Sequence, residues 1–188
     1  MRATFKKFLK ELGWREQRMP GGGYLYMDFE DRMGTIRPQI WQTSQRPDSF
    51  TIELNASVTT RRFQGYCRSV FQYKEKVSYS FFRLHYPSLR LQVPEISKEI
   101  AFDSSASAIS WVKGLDLWKS LMTNLTYPNE AGPPYAVNRM IALKMAGREA
   151  ELANILASLN TWDRQGFDPN VTHEIVKRVI ALDVSAGL

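Results

Sequence analysis

The stretch Phe50-Thr-Ile-Glu-Leu-Asn-Ala-Ser-Val-Thr59 decides the fold. Phe50, Ile52, Leu54, Ala56 and Val58 share one side of an extended chain, and Thr51, Glu53, Asn55, Ser57 and Thr59 share the other. A period of two with one apolar and one polar side is the signature of an antiparallel strand whose sheet is covered on a single face. Upstream, Leu25, Met27 and Phe29 alternate with Tyr24, Tyr26 and Asp28, and after the polar Glu30-Asp31-Arg32 turn, Ile36 and Ile40 alternate with Thr35, Arg37, Gln39 and Trp41. This reads as a hairpin. Pro38 lacks an amide donor, so its strand is expected at an edge or with a bulge there. Downstream, Leu89, Leu91 and Val93 alternate with Ser88, Arg90 and Gln92 before Pro94, and one or two more strands are expected between residues 61 and 86.

Helices flank the strands. Phe5, Phe8, Leu9 and Leu12 recur at helical spacing up to Gly13, which predicts a first helix over residues 2–13. Beyond residue 100, Ile109, Val112, Leu117, Leu121 and Leu125 predict a helix of about 105–125 with an internal Gly114, and Val137 to Met145 followed by Leu152 to Leu159 predict a helical hairpin turned at Gly147. Asp168-Pro169 reads as the cap of a last helix carrying Val171, Ile175, Val179 and Leu182. The expected architecture is α+β: an N-terminal helix, an antiparallel sheet of about five strands, then about four helices including an αα-hairpin. The length of 188 residues suits a single domain, 1–93 a basic helix and sheet and 94–188 a helical part packed on it.

Charge follows the same division. Residues 1–90 carry sixteen Lys and Arg against eight Asp and Glu, a net of +8, and residues 91–188 carry nine against eleven, a net of −2. The +6 of the chain therefore belongs to the β-half, which suits an acidic protein partner or nucleic acid. No stretch of about 20 apolar residues crosses a bilayer, and the start lacks the apolar region of a signal peptide. The single Cys67 allows no internal disulfide. A cytoplasmic protein with no membrane partner is expected.

Catalytic patterns fail on inspection. His173-Glu-Ile-Val-Lys177 begins like a zinc-peptidase helix but puts Lys where the second imidazole belongs, and His85 is the only other histidine. Ser110-Trp-Val-Lys113 matches a serine and lysine pair without its partner motifs. Cys67 beside Arg68 reads as a small buried hydrophobe sooner than a nucleophile. Arg18-Met-Pro-Gly-Gly-Gly23 reads as a loop and has no dinucleotide-binding spacing. No catalytic residue, metal ligand or cofactor is assigned, and an enzyme built from dispersed carboxylates stays open as a third reading.

The order Leu12-Gly-Trp14, Tyr24-Leu-Tyr26, Ile36 to Trp41, Ser49-Phe-Thr-Ile-Glu-Leu-Asn55 and Leu143-Lys-Met-Ala-Gly147 resembles small uncharacterised bacterial α+β domain families, some of polymorphic-toxin immunity type. The resemblance implies a cytoplasmic binding protein without a catalytic motif. The expected function is a non-catalytic protein-binding module, an immunity or accessory protein that takes an acidic partner through Arg37, Trp41, Arg61, Arg62, Tyr66 and Arg68. The alternative is nucleic-acid binding by Arg and aromatic residues of the sheet.

Overall fold

The computed structural model describes residues 2–17, 23–43, 46–72, 89–126, 133–161 and 164–184. Its fold is α+β: an N-terminal helix, a five-stranded antiparallel sheet and several C-terminal helices. The described residues gather into two compact units, one from within 1–59 and 83–115 and the other from within 60–82 and 116–188. Residues 18–22 of the expected glycine-rich loop, the part of the expected strand region within 73–86, and His85 lie outside the described residues.

In the first unit, α1 (Arg2–Glu11) is followed by β1 (Arg15–Gln17), β2 (Tyr24–Asp28), β3 (Met33–Thr43), β4 (Arg46–Thr59), β5 (Leu89–Val93) and α3 (Lys98–Gly114). The strands pair in chain order and are antiparallel throughout. The register aligns Leu25 with Ile36 and Ala56, Pro38 with Leu54 and Leu89, and Ile40 with Ile52 and Leu91. One face is therefore apolar, and it joins Phe5, Leu9, Trp14, Ala101 and Ala108 of the chain around the helices in one core. β3 is central and keeps its register with β4 at Pro38, which corrects the edge or bulge expected there. The half of β3 that contains Pro38 nevertheless runs past β2, whose partners stop at Ile36, so among the described residues that half pairs only with β4. The missing donor thus interrupts no β2 ladder.

α1 ends as its sequence requires. Gly13 takes φ +96°, its amide bonds to the Lys10 carbonyl at 3.0 Å, and the Trp14 amide reaches the Leu9 carbonyl at 3.1 Å. This is the Schellman arrangement, and it aims Trp14 into the core beside Leu9. Lys6 and Lys10 of α1 converge on Glu16 of β1, with Lys6 Nζ donating to Oε1 at 2.9 Å. The two ammonium groups, Lys10 foremost, hold the Glu16 carboxyl down at about 2. An acid with a depressed folded pKa adds stability above its unfolded value of roughly 4.3 and loses it as pH falls toward the folded value. Glu16→Gln should therefore destabilise the protein by about 1 kcal/mol at pH 7, the upper end for ion pairs in contact with water. In thermal melts from pH 7 to pH 2 the gap between the two proteins should hold down to about pH 5 and close by pH 2. A gap that is the same at pH 2 as at pH 7 would exclude the pair as its source.

The hairpin between β2 and β3 holds the end of α3. The Arg32 guanidinium, paired with Asp31, donates to the carbonyls of Val112 at 3.0 Å and Leu115 at 2.7 Å, which are among the unpaired acceptors at a helix C-terminus. α3 is shorter than expected. It stops at Gly114, Leu115 is extended, and Asp116 caps a separate α4 (Leu117–Thr123) by accepting from the Lys119 amide at 2.9 Å. The buried side of α3 is Ala101, Ser104, Ser105, Ala108 and Val112, of which only Val112 belongs to the expected stripe, and these small residues let the helix approach the sheet closely.

The second unit contains α2 (Arg61–Phe71), α4, a 3-10 turn (Asn124–Thr126), α5 (Pro133–Met145), α6 (Glu149–Ser158) and α7 (His173–Ile180). α5 is its centre, buried on most sides through Ala136 to Leu143. The α5 and α6 hairpin turns at Gly147, with φ +69° and the Arg148 amide on the Leu143 carbonyl at 2.9 Å, the same termination as α1. α7 begins four residues later than expected, because Thr172 is its N-cap, while Asp168 turns back on the Asn170 amide at 2.8 Å. The main correction concerns residues 61–71, where a strand was expected and a helix stands. Phe63, Cys67 and Val70 are buried at helical spacing, and the Thr60 hydroxyl accepts from the Phe63 amide at 3.0 Å. Aromatic and basic density hid that period.

Candidate functional site

The face of the sheet opposite the helices is built in rows by the register. Arg15, Tyr26, Thr35 and Ser57 align across four strands, then Arg37 with Asn55, then Gln39 with Glu53 and Arg90, then Trp41 with Thr51 and Gln92. Thr35, Ser57 and Thr51 are buried, whereas Arg15, Arg37, Gln39, Asn55, Arg90 and Gln92 are exposed. Tyr24, Tyr26 and Trp41 are half-buried, and cations flank the rings of Tyr26 and Trp41. The Arg90 guanidinium lies 5.3 Å from the Trp41 ring centre and that of Arg15 4.8 Å from Tyr26, while Tyr24 meets Tyr26 edge-on at 6.4 Å. Arg15 is also paired with Asp28. Such stacks hold a long flexible cation in place and present a flat, amphipathic surface to a partner.

Arg37 and Trp41 thus fall on this face, as expected from their alternation with Ile36 and Ile40. Arg61, Arg62, Tyr66 and Arg68 stand on α2, in the other unit. Arg61, Arg62 and Arg68 are exposed and Tyr66 is half-buried; the four share a helix and not a sheet. Sequence reasoning missed Arg15, Tyr24, Tyr26 and Arg90 as members of the surface. Three residues of β1 are too few to show a period, and Arg90 reaches Trp41 only through two strand registers, β3 to β4 and β4 to β5.

The chemistry of the remaining candidates is unreactive. Cys67 is fully buried, and that burial pushes its thiol well above the usual range, away from a thiolate. Lys113 of the serine and lysine pattern lies 5.7 Å from the Phe29 ring centre, with Ser110 exposed. Glu11, Asp31 and Glu149 are shifted down like Glu16, each by a lysine or arginine hydrogen-bonded to it, the opposite of a carboxyl poised as an acid near neutrality. Among the described residues no three His, Cys, Asp or Glu side chains gather where they could hold a metal ion, and no helix is long and apolar enough to cross a membrane.

No curated protein and no solved structure matches this sequence. Residues 2–184, nearly the whole chain, match the model of a protein family, and the protein belongs to it: the family of unknown function DUF6990.

Proposed function

We propose that the protein is a non-catalytic protein-binding module that docks an acidic partner on the outer face of its sheet. The observation that carries this is the Arg90 and Trp41 stack beside the exposed Arg37, held on a five-stranded scaffold. Tryptophan, tyrosine and arginine on a rigid base are the residues that dominate binding energy at protein interfaces, because they bury much area at little entropic cost. Arg15, Arg37 and Arg90 outnumber Asp28 and Glu53 on this face, which favours an acidic complement. The same two carboxylates disfavour a phosphate backbone lying across it. An immunity or accessory role is the form of this function that the pattern resemblance to toxin-immunity families supports.

The test is capture from a nuclease-treated lysate of the source cells, followed by affinity measurement with the purified partner. A single stoichiometric acidic protein is expected, bound at least tenfold more weakly by Trp41→Ala and by Arg90→Glu with the circular dichroism unchanged. A partner held equally by wild type and both variants would remove the sheet face from the interaction, and no protein retained with nuclease, while nucleic acid is retained in a parallel capture without it, would overturn the reading.

A further inference from the structure

Arg15, Arg37 and Arg90 form one diagonal line across the outer face of the sheet. They stand on β1, β3 and β5, alternate strands of the five. Through Tyr26 the register sets Arg15 level with Thr35, Arg37 is the next outward residue of β3, and through Glu53 the register sets Arg90 level with Gln39, the one after. Each step is therefore two strands across and two residues along, about 12 Å between successive Cα atoms and about 24 Å from end to end. All three are exposed. Tyr24 and Tyr26 of β2 fill the interval between Arg15 and Arg37, and Glu53 and Asn55 of β4 fill that between Arg37 and Arg90.

We infer that the acidic partner docks an α-helix along this diagonal, with a carboxylate at every seventh or eighth residue. The inference rests on the protein-binding reading of the same face and adds the form and spacing of what that face takes. In a helix, positions i, i+7 and i+15 share one side, the second about 10.5 Å and the third about 22 Å from the first, within side-chain reach of the three guanidiniums. An extended segment fits worse. Its same-side residues recur at about 6.8 Å, so the eighth residue overshoots the third arginine by about 3 Å. Lying obliquely across a sheet face, it also leaves its backbone donors and acceptors unmatched, whereas a helix satisfies its own. The ring stacks on Tyr26 and Trp41 and the pair with Asp28 are compatible with docking, because a guanidinium carries five donors. Glu53 repels a carboxylate placed out of step between Arg37 and Arg90, which favours the matching register.

The experiment is an NMR titration of the full chain at low salt with two alanine- and glutamine-based peptides of equal composition, both helical by circular dichroism. One carries glutamate at i, i+7 and i+15, and the other carries its three glutamates within one turn. The spaced peptide should shift the Trp41 indole resonance and bind about fivefold more tightly or better, because the clustered one meets a single arginine at a time. Arg15→Gln, Arg37→Gln and Arg90→Gln should each weaken the spaced peptide about threefold and the clustered one less than about twofold. Equal affinity of the two peptides, with Trp41 shifted by both, would overturn the helix and its spacing and leave the acidic-partner reading of the face standing. So would failure of either peptide to bind while the captured partner still depends on Trp41 and Arg90. Binding that leaves the Trp41 resonance and the three arginine variants unaffected would overturn both the inference and the reading beneath it.

Discussion

Trp14→Ala should destabilise the sheet-containing unit by about 3–5 kcal/mol, the range for removing a large buried aromatic without collapse of the space it leaves. Trp14 is the largest fully buried side chain among the described residues, and the chain reaches it through a termination that fixes its backbone. It belongs to the core that includes Leu9, Leu25, Ile36, Ile52 and Ala101. Its indole Nε1 donates to the Ser105 hydroxyl at 2.8 Å, so a small α3 residue both admits the ring and satisfies its one polar atom. Two milder variants separate these roles. Ser105→Ala leaves a buried indole donor unpaired and should cost about 1–3 kcal/mol. Trp14→Phe removes the donor and part of the ring, and on the Ser105→Ala background it should cost less than on the wild type, because the two share one hydrogen bond. Urea unfolding followed by circular dichroism measures the wild type and the four variants. A loss under 1 kcal/mol for Trp14→Ala would mean that the ring does not stand at the centre of this core.

What the sequence showed and what it hid divide on physical lines. Gly13 and Gly147 were legible because ending a helix with a left-handed residue leaves a glycine just past the last periodic apolar residue, one place beyond Leu12 and two beyond Met145, and both termini took that form. The β4 period was legible because one side of it is apolar and the other polar, although Thr51, Ser57 and Thr59 of the polar side are buried as well. The helix Arg61–Phe71 was hidden: Phe63, Tyr66 and Phe71 satisfy a strand composition, and only the burial of Phe63, Cys67 and Val70 separates the two periods. The division at Gly114 was hidden because Leu117 and Leu121 continue an apolar stripe across it, while the local cap at Asp116 starts a new helix. On the candidate surface, the outward side of β3 could be read from alternation, giving Arg37 and Trp41. The cation over the Trp41 ring could not, since a cross-strand neighbour two strands away is set by register and leaves no trace in a single strand's pattern.

Gly34→Val should cost about 3 kcal/mol, although valine suits an extended strand better than glycine does. Gly34 pairs with Met27 and Val58 in the middle of the sheet, and its φ lies outside the left-handed region, so the backbone does not demand glycine. Space does. A Cβ at this position would stand 2.8 Å from Cγ2 of Val112 and 3.2 Å from Cε2 of Phe29, inside the contact distance that real side chains keep. The last turn of α3 approaches the strand at this glycine, and Arg32, two residues earlier, donates to the Val112 carbonyl of that turn and to the Leu115 carbonyl just past it. Steric fit and capping therefore fix one helix end from one hairpin. The steric account makes a further demand that a general loss of stability does not. Val112→Ala removes both γ-carbons that a side chain at 34 would strike, so Gly34→Val combined with Val112→Ala should be less destabilised than the sum of the two single changes by about 1 kcal/mol or more. Strict additivity in urea unfolding would show that the cost of Gly34→Val arises elsewhere than against α3.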